Sequence, residues 1–405
     1  MNAEQHVPPF RFKGFSDFWE QRKLSDLAMF NPRLELPDSF QYVDLESVSG
    51  TELINHRTET KSSAPSRAQR LAKKGDIFYQ TVRPYQKNNY LYEKSDDDYV
   101  FSTGYAQLRP YEDGYFLFSR LQENGFVSTV LDHSTGTSYP AINSNDLAKL
   151  EIMVPLNLNE QQAIGKLFRH IDNAIALHQH KLAKLKELKK GYLQKLFPQN
   201  GETVPEFRFK GYSDAWEKRK YGDIAKSFQY GLNAPAKKFD GINKYLRITD
   251  IDDLTRLFKQ ESLTSPDTNL SNASTYLLKQ GDVLFARTGA STGKTYKYRK
   301  GDGKVYFAGF LIRADLKPKF DSEFFYQTTL TDSFLDFVKV TSQRSGQPGI
   351  NSKEYANKAI QVPELSEQQR IGSVLAIYDN LIAATQCKLD LLKKLKKGYL
   401  QKMFC

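Results

Sequence analysis

The chain repeats part of itself, and only part. Residues 10–28 (FRFKGFSDFWEQRKLSDLA) return at 207–225 (FRFKGYSDAWEKRKYGDIA) with 13 of 19 positions identical, Trp19 and Trp216 among them. A second pair follows. EQQAIGKLFRHIDNAIALHQHKLAKLKELKKGYLQKLF, starting at Glu160, recurs as EQQRIGSVLAIYDNLIAATQCKLDLLKKLKKGYLQKMF, starting at Glu367. Between the repeated parts lie two blocks, roughly 29–140 and 226–340, that align poorly. A surface kept the same twice can meet the same partner twice, whereas blocks that differ can read different ligands.

A length of 405 residues exceeds what one core organises, and the repeat fixes the expected number of domains at two. With 40% hydrophobic and 13% aromatic residues the chain can fill packed cores, and 26% charged residues suit a soluble surface rather than a disordered chain. No apolar run reaches the ~20 residues a bilayer-spanning helix needs, and the N-terminus lacks the apolar stretch of a secretory signal. A cytoplasmic protein is therefore expected. Cys387 and Cys405 are too few for a disulfide framework or a cysteine zinc site. The net charge of +11 favours a polyanionic partner through long-range attraction and counterion release.

Each half ends in a long amphipathic stretch whose seam residues alternate three and four apart. Ile164, Phe168, Ile171, Ile175, His178, Leu182, Leu185, Lys189, Tyr192 and Leu196 form the first seam. Ile371, Leu375, Tyr378, Ile382, Thr385, Leu389, Leu392, Lys396, Tyr399 and Met403 form the second. This heptad pattern predicts coiled-coil packing, with polar breaks at matching positions to fix register. Capping boxes are expected from Asn159 to Gln162 and from Ser366 to Gln369. The fold class expected is α+β, with two globular domains separated by two long antiparallel helices forming a coiled coil. The divisions fall at 10–157 for the first block with its anchor, 158–197 for the first helix, 198–206 for a linker, 207–364 for the second block and 365–404 for the second helix.

Within the blocks, KGDIFYQTV (74–82) and QGDVLFART (280–288) read as strands that run into polar loops. The first loop carries Arg83, Tyr85, Lys87, Asn88 and Asn89. The second carries Arg287, Thr288, Ser291, Thr292 and Lys294. Arginine for guanine and Asn or Gln for adenine are the bidentate readers of a major groove, and glycine-rich turns permit close approach to phosphates. An ordinary hairpin turn explains the same composition. The stretches STGTSYPAINSNDL (134–147) and SQRSGQPGINSKEY (342–355) share a Pro-x-Ile-Asn-Ser core, expected to turn each block against its helix, with Gln343, Arg344 and Gln347 in reach of nucleic acid.

Sites for chemistry are poorly supported. GASTGKT (289–295) has three residues between its glycines where a phosphate-binding P-loop needs four. Asp38, Glu59 and Lys61 meet a loose nuclease spacing that chance also supplies. The histidines show no metal-ligand spacing. Lysine runs at 186–190 and 393–397 read as solvated helix faces. No catalytic residue and no metal site is expected in this chain.

The W-E-x-R-K anchor, the GQPGINS stretch, the EQQ-x-IG helix start and KKGYLQK together resemble the DNA-specificity subunit of type I restriction-modification systems, over nearly the whole chain from Phe10 to Phe404. The resemblance implies a non-catalytic subunit whose two target-recognition domains read the halves of a bipartite, asymmetric site in double-stranded DNA. It implies two modification subunits, adenine methyltransferases, as partners, with up to two restriction subunits beside them. S-adenosylmethionine, ATP and magnesium then belong to the partners, and this chain needs no cofactor of its own and no membrane. Trp19, Trp216, Ile171, Leu182, Leu185, Tyr378, Leu389 and Leu392 are the residues expected at subunit interfaces. One departure is Ser138–Tyr139 where the second copy has Gly346–Gln347. A standalone coiled-coil DNA-binding or adaptor protein is the alternative reading.

Overall fold

The computed structural model describes residues 7–199, 201–343 and 346–404. Two compact units emerge, and each draws on two separated stretches or on the middle of the chain. The first comprises Met1–His178 with Lys388–Cys405, and the second Gln179–Cys387. The long helices, Leu158–Leu196 and Leu365–Lys402, therefore each contribute one half to each unit.

The first unit is built on two four-stranded sheets. One, entirely antiparallel, orders Ala28–Phe30, Tyr105–Pro110, Ile77–Gln80 and Tyr90–Leu91. The other orders Arg57–Thr60, Ser39–Val43, Tyr99–Ser102 and Ala68–Leu71, with one parallel pair. The second unit keeps the first of these sheets as Ala225–Tyr230, Leu311–Leu316, Val283–Ala286 and Thr295–Lys297. In place of the other it has separate two-stranded ribbons, Ala236–Lys238 with Thr264–Pro266 and Lys244–Leu246 with Val305–Phe307. The poorly aligned blocks thus share one sheet and differ in the rest.

The repeated segments meet at the root of each unit. The anchor strand Trp19–Lys23 pairs antiparallel with Glu151–Pro155, the strand that leads into the first long helix. Glu217–Lys220 pairs in the same way with Ala359–Val362. Glu160, fully buried, takes both donors of Arg11 at 2.5 and 2.6 Å. Glu367, also fully buried, takes Arg208 at 2.8 Å twice. A planar guanidinium matched to a carboxylate satisfies a charge that burial would otherwise penalise heavily. The next residue seals the turn: Gln161 donates to the Pro155 carbonyl at 3.0 Å, and Gln368 to that of Pro363 at 2.8 Å.

The glycine of EQQ-x-IG has a steric cause. Asp113 and Asp321 cap short helices, accepting from the Phe116 and Phe324 amides at 2.7 and 2.8 Å, and these caps press against the long helices. A Cβ on Gly165 would lie 2.2 Å from an Asp113 carboxylate oxygen, and one on Gly372 would lie 2.9 Å from that of Asp321. The helix starts differ from the capping boxes expected. The first helix begins at Leu158, with the Asn157 side chain accepting from the Asn159 amide at 2.9 Å, so Asn159 already lies inside the helix. The second begins at Leu365, and Ser366 bonds the Glu364 carboxylate and Tyr212 rather than capping.

Within each unit, halves of the two helices pack antiparallel along the expected seams. In the first, Asp172 pairs with Lys396 at 2.6 Å, and Phe404 stacks on Phe168 with ring centroids 5.6 Å apart. In the second, Lys189 pairs with Asp379 at 2.5 Å, and Tyr192 meets Tyr378 at 5.2 Å. The seam lysines thus find carboxylates at equivalent positions of the repeat, which fixes register between the helices. Each helix end then enters the core beside an anchor tryptophan: Phe404 at 6.3 Å from Trp19, and Phe197 at 6.3 Å from Trp216.

Trp19 and Trp216 are 4% and 3% exposed, and Ile171, Leu182, Leu185 and Leu389 are also buried. Expected at interfaces with other subunits, these side chains are packed within this chain. Tyr378 and Leu392 are half-buried.

In a helix interior, Gly→Ala ordinarily stabilises by about 1 kcal/mol, but overpacking costs about 1–3 kcal/mol. Gly372→Ala is accordingly expected to destabilise the chain, and Gly398→Ala, whose added methyl meets nothing within 4 Å, to stabilise it. Chemical denaturation of the two variants tests this; equal shifts of the same sign would remove the steric explanation.

Candidate nucleic-acid interface

The shared sheet delivers one edge of each unit to a common backbone frame. After the strand Ile77–Gln80, the Thr81 carbonyl accepts from Ile142 N–H at 3.0 Å and the Pro140 carbonyl accepts from Arg83 N–H at 2.8 Å. After Val283–Ala286, Arg287 accepts from Ile350 at 2.9 Å and Pro348 accepts from Gly289 at 2.9 Å. A third bond completes the match, Thr81 N–H to Gly104 at 3.0 Å in one unit and Arg287 N–H to Phe310 at 3.1 Å in the other. Thr81 and Arg287 are therefore equivalent, as are Arg83 and Gly289, Gly104 and Phe310, and Tyr139 and Gln347.

The repeated Pro-x-Ile-Asn-Ser stretch holds this frame. Ile142 and Ile350 are 4% and 2% exposed, and Asn143 and Asn351 cap the short helices Ser144–Lys149 and Ser352–Asn357. The stretch therefore packs against the loop that follows the strand, which replaces the expected turn against the long helix.

Two of the proposed contact residues stand out on this frame. The Arg83 guanidinium lies 4.4 Å from the centre of the Tyr139 ring, and that of Arg287 lies 5.0 Å from Tyr230 and 6.0 Å from Phe310. In both, Nε is buried without a hydrogen-bond partner among the described residues, and neither forms an ion pair there. Arg83 also holds φ at +54°, where its equivalent Gly289 has +74°. A side chain in this left-handed region costs about 1–2 kcal/mol, so arginine is retained there against the local backbone preference. Beside Arg287 opens a cavity of about 400 Å³ lined by Tyr230, Tyr245, Arg247 and Phe310. Burial pushes the Tyr230 hydroxyl up, but the Ser352 N–H it accepts and the Arg287 charge more than offset this and hold it below its ordinary value.

Other expected contacts are committed to the fold. Lys294 is 8% exposed, paired with Asp253 and donating to the Ile251 carbonyl at 3.3 Å. Asn89 is 1% exposed and accepts from the Gln80 amide at 2.7 Å. Lys87 donates to the Gln122 carbonyl and to Asn124, both at 2.6 Å, and burial lowers its pKa, with Glu123 pulling the other way. Asn88 accepts from Gly50 N–H at 2.8 Å, and Thr292 donates to the Gly289 carbonyl at 2.7 Å. Lys294 and Asn89 are thus buried and bonded within the chain, and Lys87, Asn88 and Thr292 brace their loops. Thr288 and Ser291 are half-buried, and Tyr85, Gln343 and Gln347 are exposed. Arg344 lies outside the described residues.

Sequence reading missed the exposed rings Tyr139 and Phe310, 63% and 61% exposed, because an aromatic residue in a loop carries no periodic signal. Of the loose nuclease set, Glu59 is engaged by Arg57 at 2.8 Å, and no group of three metal-ligating side chains occurs among the described residues. No helix of the described residues is long and apolar enough to cross a membrane.

Both frames rest on a buried aspartate at the start of the strand. Asp76 receives Arg109 through two bonds of 2.7 and 2.8 Å and Gln107 at 2.7 Å. Its counterpart Asp282 has only the Lys279 amide at 2.9 Å and Arg313 at 3.5 Å. Burial pushes the Asp282 carboxyl up to about 6, against the pull of those two groups. A folded-state pKa above the unfolded value means stability is fully present at low pH and is lost as pH rises through about 6. Asp282→Asn is therefore expected to gain stability relative to the parent between about pH 4 and pH 7, by up to roughly 2–3 kcal/mol. Thermal denaturation across that range would show a constant difference if Asp282 were ionised throughout.

The two α+β units thus share one backbone frame and mount different arginine, aromatic and polar side chains on it. The family profile described as type I restriction modification DNA specificity domain matches residues 17–187 and 213–394, and the chain belongs to this family, carrying the domain twice. The specificity subunit of the type I restriction enzyme MjaVIII of Methanocaldococcus jannaschii is 25% identical over 193 residues, 47% of this chain and 42% of that one. The match thus spans less than half of the curated relative. The EcoDI specificity subunit of Escherichia coli is 23% identical over 314 residues, 71% of this chain and 69% of its own length. A solved S subunit of a type I restriction-modification system from M. genitalium has the same fold, with a TM-score of 0.72 at 16% identity over 99% of both chains.

Proposed function

We propose that this chain is the non-catalytic specificity subunit of a type I restriction-modification complex, in which each unit reads one half of a bipartite, asymmetric site in double-stranded DNA. The observation that carries this reading is the pair of frames: one backbone, duplicated, with different side chains mounted on it. Identical frames would read a symmetric repeat, whereas Arg83 with Tyr139 and Arg287 with Phe310 present donors from positions two residues apart on the equivalent strand end. A guanidinium set over a ring, with no ion pair among the described residues, is suited to the O6 and N7 acceptors of guanine. The helices set the interval between half-sites in this reading.

The partners are two copies of one modification subunit, an adenine methyltransferase that uses S-adenosylmethionine, with restriction subunits that use ATP and magnesium joining where the system has them. Support comes from exposed positions that the repeat keeps identical. Phe10 and Phe207 are 46% and 50% exposed, and Lys13, Asp17, Glu20 and Lys23 are exposed like Lys210, Asp214, Glu217 and Lys220. Gly191 and Gly398 of KKGYLQK lie within the last two turns of their helices, where glycine is still costly, yet nothing lies within 4 Å of where their Cβ atoms would be. Open space at a retained glycine suits close approach by another backbone.

Co-expression with a candidate modification subunit, followed by co-purification and methylome sequencing, tests the whole reading. The expected product is one bipartite motif with dissimilar halves, and absence of both capture and methylation would refute it. Arg83→Ala and Arg287→Ala are each expected to relax one half only, by about 1–3 kcal/mol of discrimination. Equal weakening on unrelated DNA would reduce them to phosphate contacts. Gly191→Leu together with Gly398→Leu should leave the isolated chain folded, judged by its melting curve, and abolish capture of the modification subunit; undiminished capture would place the partner elsewhere.

A further inference from the structure

Comparing the equivalent positions of the two frames shows that arginines and rings are exchanged together. Where the first unit has Arg83, the position in contact with it is Tyr139; the second unit has Gly289 and Gln347 at those two places, and a Cβ on Gly289 would lie 3.1 Å from the Gln347 amide nitrogen. Where the second unit has Arg287, two rings stand beside it, Tyr230 at 5.0 Å and the more exposed Phe310 at 6.0 Å; at the positions of Arg287 and Phe310 the first unit has Thr81 and Gly104. Two independent sites in one chain thus replace both members or neither. Neither ring serves a core, since Tyr139 is 63% and Phe310 61% exposed. An exposed ring gains nothing from burial, so its value lies in what stacks on it.

An arginine free in solvent samples many rotamers, and fixing it on binding costs about 2 kcal/mol of side-chain entropy. A ring face beneath the guanidinium removes part of that cost in advance and fixes the plane in which its donors point. The Nε of both arginines is buried with no hydrogen-bond partner among the described residues, which leaves the other two guanidinium nitrogens as the donors available to a ligand.

Building on the function proposed above, we infer that Tyr139 and Phe310 are specificity-determining positioning residues, each a platform that aims one arginine at the acceptor edge of a guanine in its own half-site. The ring makes no base contact of its own in this arrangement. It acts through the arginine, so aromaticity matters and the hydroxyl does not. Tyr139 and Phe310 are consequently interchangeable in kind: each should tolerate replacement by the other's residue type, and neither should tolerate alanine.

The test uses the complex of this chain with its modification subunit, after methylome sequencing has defined the site. Equilibrium binding is measured on the cognate duplex, on duplexes with each base pair of each half-site changed in turn, and on an unrelated duplex. Tyr139→Ala is expected to weaken cognate binding roughly tenfold and to flatten discrimination at one G·C pair of one half-site. Binding to unrelated DNA and discrimination in the other half-site should stay unchanged, and Tyr139→Phe should behave as the parent. Phe310→Ala and Phe310→Tyr should mirror this in the opposite half-site. Both positions are exposed, and matching melting curves confirm that the variants fold. Parental discrimination by the alanine variants, equal loss in the aromatic variants, or equal loss on unrelated DNA would each overturn the platform role while leaving the proposed function standing. A parent complex that binds every duplex alike would overturn the proposed function and this inference together.

Discussion

Everything in this architecture depends on a carboxylate that has no access to water. Glu160 and Glu367 are fully buried, and each is held by both donors of an arginine from a segment roughly 150 residues earlier, Arg11 and Arg208. The pair draws the anchor segment, the strand pair and the start of a long helix to one point. Removing either arginine would strand a charge in the interior, a loss of about 3–5 kcal/mol and much more than an exposed ion pair contributes. That difference explains why the FRFKG and EQQ segments recur unchanged in both copies.

Fidelity at the root leaves the outer parts of each unit free to change. The sheet containing Ile77–Gln80 or Val283–Ala286 is retained because it packs on the root through residues such as Ile77 and Val283, both fully buried. Beyond it, the first unit builds a second four-stranded sheet and the second unit builds ribbons. The Pro-x-Ile-Asn-Ser stretch sits at the boundary between these regimes. Its Ile enters the core and its Asn caps a helix, while the residue before its Pro is Tyr in one unit and Gln in the other. One position removed from a fixed backbone bond, side chains can vary without moving the main chain that carries them.

Much of this was legible from residue order. The seams of both helices, the strands at 77–80 and 283–286 and the two-unit organisation follow from periodicity and repetition, which survive any change of partner. The helix starts were misplaced because capping was sought from side-chain spacing, whereas Asn157 does the capping from outside the expected box. The binding residues were only partly legible. Arg83 and Arg287 were identified by type, yet Lys294 and Asn89 look equally suitable on paper. Only packing reveals that Asp253 holds the one and the Gln80 amide the other. Within those loops Arg83 corresponds to Gly289, and Arg287 to Thr81. Hydrogen bonds of the frame, invisible in one dimension, decide that register.

The composition of the first unit bears on how the chain matures. Its core joins Trp19 and Phe116 to Met403 and Phe404, and Phe10 N–H bonds the Lys402 carbonyl at 2.9 Å. The second unit, by contrast, is formed by one unbroken stretch, Gln179–Cys387. During translation the downstream unit therefore has all its material first, and the upstream one waits with a gap in its apolar interior until Met403 and Phe404 are made. Chains interrupted after Cys387 would expose that gap and become substrates for chaperones and proteases.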